Sequence, residues 1–212
     1  MLAPRIANWN HQEIKMKNVF SPTEQIDNLD AKVIASLERL ATLFKSTLQD
    51  TAKKYKLTPL QAQLLIFIAE HPSKLCSVSM LAKEFTVTKA TASDSLKTLV
   101  NKGYVEKIDS EADARSFSFV IPADARAMVN ELTNFGLLMS NSLSAFNPSE
   151  LSQLYSLNLK MLNEFSKSGL ITCRMCYTCQ HYQQKEEGFY CHLMKKALPT
   201  EALRIDCLEH KD

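Results

Sequence analysis

Apolar residues recur every three or four positions along most of the first 168 residues, and this spacing predicts a series of amphipathic helices. The first apolar stripe occupies positions 26, 29, 33, 37, 40, 44 and 48. It predicts one long helix over 23–56. A stripe of this length exceeds what one small domain can cover, which indicates that part of it faces a partner.

A second predicted helix is apolar on nearly every side, and it is therefore expected at the centre of the domain. Its sequence is LQAQLLIFIAEH. Thr58 is expected to cap its first turn, and Pro59 supplies a backbone angle that suits the first helical position. Pro72 ends this helix because the residue before a proline is pushed out of the helical region.

The next segments predict a helix-turn-helix followed by a hairpin. A short helix, SVSMLAKEF, leads to a turn at Thr86 and then to a helix opened by Thr88, KATASDSLKTLVNK. Gly103 stops that helix as a left-handed cap. Two alternating runs, 104–108 and 116–121, enclose the polar loop DSEADAR and predict a two-stranded hairpin. Helix, turn, helix and hairpin in this order predict a winged helix-turn-helix.

Two further amphipathic helices are predicted at 124–146 and 148–167, and Gly169 closes the helical part. The predicted fold class is therefore mainly α with a small β-hairpin wing. The predicted domains are a leader at 1–22, a winged helix-turn-helix with dimerisation helices at 23–168, and a cysteine-rich tail at 169–212.

The helix at 89–102 is the candidate DNA-reading element, because the second helix of such a motif enters the major groove. Its predicted buried face is Ala92, Leu96, Leu99 and Val100, and its predicted outward face is Lys89, Ala90, Ser93, Asp94 and Lys97. The tip of the hairpin can reach the adjacent backbone or minor groove. The alternative is a three-helix core with a hairpin that binds no DNA.

The same segment resembles the MarR family of bacterial winged-helix regulators. The matching residues are Leu57, Thr58, Gln61, Leu64 and Leu65, then Leu81, Ala82, Val87, Thr88, Lys89, Thr91, Ser93, Leu99, Lys102 and Gly103, and in the wing Asp113 and Arg115. The resemblance implies a homodimer held by the long flanking helices and a double-stranded, pseudo-palindromic operator. It implies DNA contacts from Thr88, Lys89, Thr91, Ser93, Asp94, Lys97 and Arg115.

Two departures from the family pattern weaken the expected attraction to phosphate. Asp94 stands where the family usually has a basic or neutral residue, and the wing has Arg115 without a second arginine. Residues 88–115 contain five basic and five acidic side chains, so this face is close to neutral and the expected non-specific affinity is low.

Composition narrows the class of protein. The chain has 212 residues, a formal net charge of +2 and 45% hydrophobic residues, as in globular proteins. Its longest apolar run is LLIFIA, far short of the ~20 residues that a membrane-spanning helix needs, and the first twenty residues have no apolar signal core. We therefore expect a cytoplasmic protein without a membrane segment. No hydrolase, nucleotide or dehydrogenase motif is present, so an enzyme is not expected.

Five of the six cysteines lie in the tail, at 173, 176, 179, 191 and 207. In the cytoplasm, clustered cysteines are more often metal ligands or redox groups than disulfides. Three interpretations compete: zinc bound by four thiolates, a 4Fe-4S cluster, and free thiols that sense oxidants. The tail is expected to lack a core of its own, so a metal ion would order it. Cys76 is expected to be a small buried hydrophobe.

The tail also resembles a cysteine-rich extension carried by some MarR-like proteins. The matching residues are Met175, Cys176, Cys179, Tyr182, Tyr190 and Cys191, then Leu203, Arg204, Asp206, Cys207, Glu209 and His210. Cys173 falls outside that pattern, so the resemblance implies Cys176, Cys179, Cys191 and Cys207 as ligands, but it does not identify the metal. Zinc is favoured over an iron–sulfur cluster because the Cys-x2-Cys-x2-Cys run lacks the nearby Cys-Pro that normally ends a cluster motif. A small molecule or an oxidant is compatible with this architecture as the effector that controls DNA binding. A rival interpretation is a redox or metal-handling protein on a winged-helix scaffold without an operator.

Overall fold

A computed structural model describes residues 18–110, 113–185 and 188–211. The predicted leader lies mostly outside the described residues, which begin at position 18. The first helices are α1 (Glu24–Asp27) and α2 (Leu29–Lys53). The prediction of one helix over 23–56 was wrong at its beginning, because Asn28 is extended and its side chain accepts a hydrogen bond from the Ala31 N–H, which caps α2.

Helices α3 (Pro59–Glu70), α4 (Val78–Glu84) and α5 (Lys89–Asn101) form the helix-turn-helix region. In α3, the Thr58 hydroxyl and the Gln61 side chain form a reciprocal capping box. The Thr58 cap was predicted from the sequence, and the reciprocal contact of Gln61 was not. The buried residues of α3 lie on most sides of the helix, which confirms its central position. Gly103 follows α5 with φ +72°, as predicted for a left-handed cap.

The wing consists of β1 (Glu106–Ser110) and β2 (Asp113–Val120), which pair antiparallel. The strands extend further into the predicted loop than the sequence suggested, and residues 111 and 112 lie outside the described ones. The Phe119 N–H donates to the Cys76 carbonyl at 3.2 Å, which fixes the base of the wing to the segment that leads into α4. Phe119 is buried, whereas Phe117 is 40% exposed.

The main hydrophobic core joins α2, α3, α4, α5, the wing and the segment 126–132. Its buried members include Leu48, Leu64, Leu65, Leu81, Leu96, Leu99, Val105, Phe119, Val129 and Leu132. No helix in the described ranges is both long and apolar enough to cross a membrane.

The predicted helix at 124–146 was only partly correct, because two shorter helices take its place. These are α6 (Arg126–Leu132) and α7 (Leu137–Leu143), separated by a 3-10 turn at Thr133–Gly136. That turn, TNFG, contains weak helix formers and a glycine. The last long helix, α8 (Pro148–Lys167), has the predicted bounds, and Asn147 and Glu150 form a capping box at its start.

The tail folds into a three-stranded antiparallel sheet that the sequence did not predict. Its strands are β3 (Tyr182–Lys185), β4 (Gly188–Cys191) and β5 (Lys196–Leu198). A second hydrophobic cluster lies between this sheet and α8, with Leu159, Met175, Leu198 and Leu203 buried. The tail therefore has buried apolar contacts, which it shares with α8.

Candidate nucleic-acid interface and cysteine cavity

The start of α5 is fixed by local contacts that its sequence dictates. Thr86 has φ +53°, which turns the chain sharply after α4. The Thr88 hydroxyl accepts a hydrogen bond from the Thr91 N–H at 3.1 Å and caps the first turn of α5. These contacts define the orientation of the outward face of α5 relative to α4.

The two faces of α5 separate as the periodicity predicted. Ala92, Leu96 and Leu99 are buried, and Val100 is partly buried against the core. The residues of α5 and its cap that were predicted to contact DNA face outward. Thr88, Lys89, Thr91, Asp94 and Lys97 are exposed, and Ser93 is half-buried. The structure therefore brings these six residues together on one accessible surface.

Not every basic side chain near this surface is available to phosphate. The Lys102 ammonium donates to the Lys56 carbonyl at 2.7 Å, which ties the end of α5 to the end of α2. The Lys107 ammonium lies 4.5 Å from the centroid of the Phe117 ring, a cation–π contact. Arg115 belongs to β2, but its side chain lies outside the described ones. Lys89 and Lys97 are therefore the described basic groups with the clearest approach to DNA.

The four cysteines implied as ligands line a single cavity in the tail. Cys176, Cys179, Cys191 and Cys207 share its wall with His181, around a volume of about 290 Å³. Apolar residues complete the wall, among them Leu193, Met194, Leu198 and Leu203. Cys173 is absent from the described lining, in agreement with its place outside the motif. Within the described ranges, no three metal-ligating side chains converge as a preformed metal site.

Two chain segments that cross beside this cavity hold Cys176 and Cys207. The Cys176 N–H donates to the Arg204 carbonyl at 2.9 Å, and the Arg204 N–H donates to the Cys176 sulfur at 3.2 Å. The Cys207 N–H donates to the Arg174 carbonyl at 2.9 Å. Cys176 is the first residue of a 3-10 turn at Cys176–Thr178, Cys179 directly follows that turn, and Cys191 ends β4.

Burial and mutual proximity both act on the thiol groups. Burial raises the pKa of Cys176, and the charges of Cys207, Cys191 and Cys179 raise it further, whereas the Arg204 N–H lowers it. Sulfurs that interact in this way need a cation to be thiolates together. The Nε2 of His181 is buried with no hydrogen-bond partner among the described residues, so the cavity also contains an unsatisfied polar atom.

A charged network joins the tail to the helix-turn-helix. The Arg174 guanidinium donates to Glu84 at 2.7 Å and to Asp206 at 2.8 Å. The second oxygen of Asp206 lies 2.7 Å from the Nε2 of His71. Burial raises the pKa of Asp206, but the hydrogen bonds from Arg174 and His71 outweigh it and hold that pKa below its ordinary value. Sequence analysis missed this network because its members are far apart in the chain and match no local pattern.

The tail also contacts α8. The Tyr155 hydroxyl donates to the Leu203 carbonyl at 2.6 Å, and the Ser152 hydroxyl donates to Glu201. The tail therefore lies between α8 on one side and the ends of α3 and α4 on the other.

Cys76 is the remaining cysteine, and it lies apart from this cavity in the main core. It is fully buried, and burial raises its pKa to about 11 although Arg174 acts in the opposite direction. The thiol is therefore protonated near neutral pH, as expected of a small buried hydrophobe.

Comparisons with known proteins agree with the winged-helix architecture. Residues 55–116 match the model of the MarR family. The HTH-type transcriptional regulator BilQ of Clostridioides difficile (strain CD3) is 30% identical over 91 residues, which are 43% of this chain and 60% of that protein. The match thus spans less than two thirds of this relative.

Two solved structures give the same fold at low sequence identity. A MarR protein from Peptoclostridium difficile has a TM-score of 0.59 and 20% identity, and the match covers 68% of this chain and 94% of that one. S. aureus MepR, solved as a complex with DNA, has a TM-score of 0.54 and 19% identity, with 61% and 96% covered. The described chain therefore has the winged helix-turn-helix fold of the MarR family, and its 55–116 segment matches that family in sequence.

Proposed function

We propose that this protein is a MarR-type transcriptional regulator that binds double-stranded DNA through α5 and the wing. The observation that carries the proposal is the outward face of α5, where Thr88, Lys89, Thr91, Asp94 and Lys97 are exposed beside a capped, sharply defined turn. This arrangement suits a helix that enters the major groove. The near-neutral charge of the surface favours recognition of base edges over non-specific attraction to phosphate.

The test is a fluorescence-anisotropy titration against an operator selected from a random duplex library. Lys89→Ala and Arg115→Ala should each weaken operator binding by about 5–150-fold, the effect of losing one base or phosphate contact. Lys45→Ala removes an exposed lysine of α2 and serves as the charge-matched control, with unchanged affinity. Selection of no duplex by the library, or wild-type affinity in both variants, would contradict DNA binding by this face.

We also propose that the protein functions as a homodimer. Among the described residues, α2 buries only Ala31, Leu48 and Ala52. A row of large apolar residues stays exposed on α2, α7 and α8, including Leu29, Leu40, Phe44, Leu137, Leu138 and Leu157. An apolar surface of this extent marks an interaction site. A second copy is the occupant that suits it, because a two-fold dimer places two α5 helices one helical turn of DNA apart.

Sedimentation velocity at micromolar concentration tests the dimer. Leu40→Glu introduces a charge into the exposed apolar row and should yield a folded monomer. Lys45→Glu changes charge on the same helix at a polar position and should remain a dimer. A monomeric wild-type protein at this concentration would exclude the proposed assembly.

We propose further that Cys176, Cys179, Cys191 and Cys207 hold one metal ion per chain, and that this ion is zinc. Support comes from the shared cavity of the four thiols and from the electrostatic interaction of Cys176 with the other three. The unsatisfied His181 Nε2 in the same wall is suited to donate a hydrogen bond to a metal-bound thiolate. Arg204, whose backbone contacts Cys176, would offset part of the negative charge of four thiolates on Zn²⁺.

Elemental analysis and a visible spectrum of anaerobically purified protein decide the identity of the metal. We expect one zinc per chain and no visible absorption. If the protein instead contains iron and absorbs near ~400 nm, the cofactor on the same cysteines is a 4Fe-4S cluster and not zinc. Protein without metal, with all five tail thiols free and oxidisable, would favour the thiol-sensor alternative.

A further inference from the structure

The network that joins the tail to the helix-turn-helix consists of His71, Glu84, Arg174 and Asp206, and we name it the Arg174 clasp. Its ion pairs are partly shielded: the side chains of Arg174 and His71 are 11% and 13% exposed, that of Glu84 is 21% exposed, and that of Asp206 is 36% exposed. The guanidinium also lies 5.2 Å from the centroid of the Phe67 ring, which stacks on His71 at 3.7 Å. An ion pair in such surroundings is sensitive to geometry, because opening it leaves partly buried charges unpaired.

One end of the clasp is built into the cysteine cavity. Arg174 lies two residues before Cys176, and Asp206 lies directly before Cys207. Backbone hydrogen bonds pair the same two segments, from the Cys207 N–H to Arg174 and from the Cys176 N–H to Arg204. A metal ion that joins Cys176 to Cys207 therefore also holds Arg174 beside Asp206.

The other end of the clasp lies at the base of the DNA-reading element. Glu84 is the last residue of α4, four residues before the Thr88 cap of α5. His71 is the residue directly after α3, and its Nδ1 lies 2.8 Å from the Phe67 carbonyl. The clasp thus fixes the ends of α3 and α4 to each other through the tail, at the turn that orients α5.

We propose that metal loading of the cysteine cavity is coupled through the Arg174 clasp to the orientation of α5, so that the metal-loaded protein binds DNA more tightly than the metal-free protein. This coupling rests on the DNA-binding and metal-binding functions proposed above. In the clasped arrangement, α4 and the turn are held in the conformation that exposes the face of α5. Loss of the ion frees Cys176 and Cys207, the clasp opens, and the end of α4 loses its anchor. Coupling between two sites of this kind typically changes affinity by about 5–150-fold.

The decisive experiment compares operator affinity of the full-length chain in two forms, loaded with Zn²⁺ and stripped with a chelator under reducing conditions. Wild-type affinity should fall about 10-fold on stripping. Glu84→Gln removes the charge at the clasp but none of the cysteines, so it should bind Zn²⁺ with the same stoichiometry. Its loaded and stripped forms should bind the operator within about twofold of each other. Glu164→Gln removes an exposed ion pair with Lys167 on α8 and should keep the full wild-type dependence.

A second measurement reports on the clasp without DNA. Amide hydrogen exchange of residues 84–101 should be faster in the stripped wild-type protein than in the loaded one, and equally fast in both forms of Glu84→Gln. Equal exchange in the loaded and stripped wild type would overturn the coupling, as would a Glu84→Gln variant whose DNA affinity still follows the metal.

These failures can be distinguished from failure of the underlying functions. If no form of the wild-type chain binds the operator, DNA binding itself is refuted. If the chain binds the operator but takes up no Zn²⁺, the metal site is refuted and the coupling with it. If both ligands bind and neither affects the other, the coupling alone is refuted, because linkage must be reciprocal.

Discussion

The winged-helix core and the cysteine-rich tail are stabilised in different ways. The core draws buried apolar residues from five helices and the wing, so its hydrophobic contacts converge from many directions. The tail shares a small cluster with α8, and it adds a short three-stranded sheet, thiols and the Arg174 clasp. Small units with little core commonly need a metal ion or covalent links for stability. The comparison teaches that one chain can combine a domain with an extensive core and an appendage whose few buried apolar residues pack against a neighbouring helix.

The largest expected effect is the loss of a predicted metal ligand in the tail. Cys207→Ser should abolish metal binding and make residues 169–212 sensitive to thermolysin, because structural zinc contributes about 10–16 kcal/mol to the folding of comparable small units. The winged-helix core should keep its thermal transition. Elemental analysis together with mass spectrometry of the proteolytic fragments measures both effects.

Cys173→Ser is the matched control for that experiment. Cys173 is half-buried beside the cavity but outside its described lining, so the variant should keep full metal content and the wild-type cleavage pattern. Metal retained in Cys207→Ser and lost in Cys173→Ser would require a different ligand set.

The next largest effect is the loss of stability when a buried leucine is truncated, and it should differ between the two hydrophobic clusters. Leu64 in α3 and Leu203 in the tail are both buried, at 0% and 3% exposure. Leu64→Ala should reduce the free energy of global unfolding by about 2–5 kcal/mol, as large-to-small substitutions in well-packed cores do. Leu203→Ala should leave the main urea transition nearly unchanged and should increase amide exchange in the tail. A similar shift of the main transition in both variants would show that the two regions unfold as one unit.

The same comparison explains how much of the fold could be predicted. The bounds of α5 and α8 follow from local signals, the caps at Thr88 and Asn147 and the glycine at 103. The three strands of the tail contain only three or four residues each, too few for a reliable alternation of polar and apolar positions. Their order depends on contacts with α8 that no local pattern contains.

The candidate sites show the same division. The outward face of α5 was predictable because helical periodicity fixes which residues share a face. The grouping of four cysteines around one cavity was expected from resemblance to a known extension, and the structure adds His181 to its wall. The Arg174 clasp was not predictable, since it joins positions 71, 84, 174 and 206, and charged residues at such separations have many alternative partners.

A smaller effect is expected from the cap of the DNA-reading helix. Thr88→Ala removes the acceptor for the Thr91 N–H and should lower the free energy of unfolding of the core by about 1 kcal/mol. Thr88→Ser keeps the hydroxyl and should restore most of that stability. Urea unfolding of the three proteins measures the difference. An equal loss in Thr88→Ser would mean that the methyl group of Thr88, and not its hydroxyl, stabilises this turn.

The smallest effect concerns an exposed charge cluster of the core, which contrasts with the shielded clasp at the tail. Hydrogen bonds from Lys54 and then from Tyr55 hold the pKa of Glu131 below its ordinary value of 4.5. A carboxyl group whose pKa is lower in the folded chain than in the unfolded chain stabilises the fold above that ordinary value, and this stabilisation is lost as the pH falls through the folded pKa. The urea midpoint of the wild-type protein should therefore fall more between pH 5 and pH 3 than that of Glu131→Gln.

Two further variants divide this effect between the partners of Glu131. Lys54→Met should reduce the acid sensitivity in part and Tyr55→Phe should reduce it less, since Lys54 has the larger influence on the carboxyl group. If Glu131→Gln shows the same acid sensitivity as the wild type, the pKa of Glu131 is not coupled to folding, and other carboxyl groups cause the acid response.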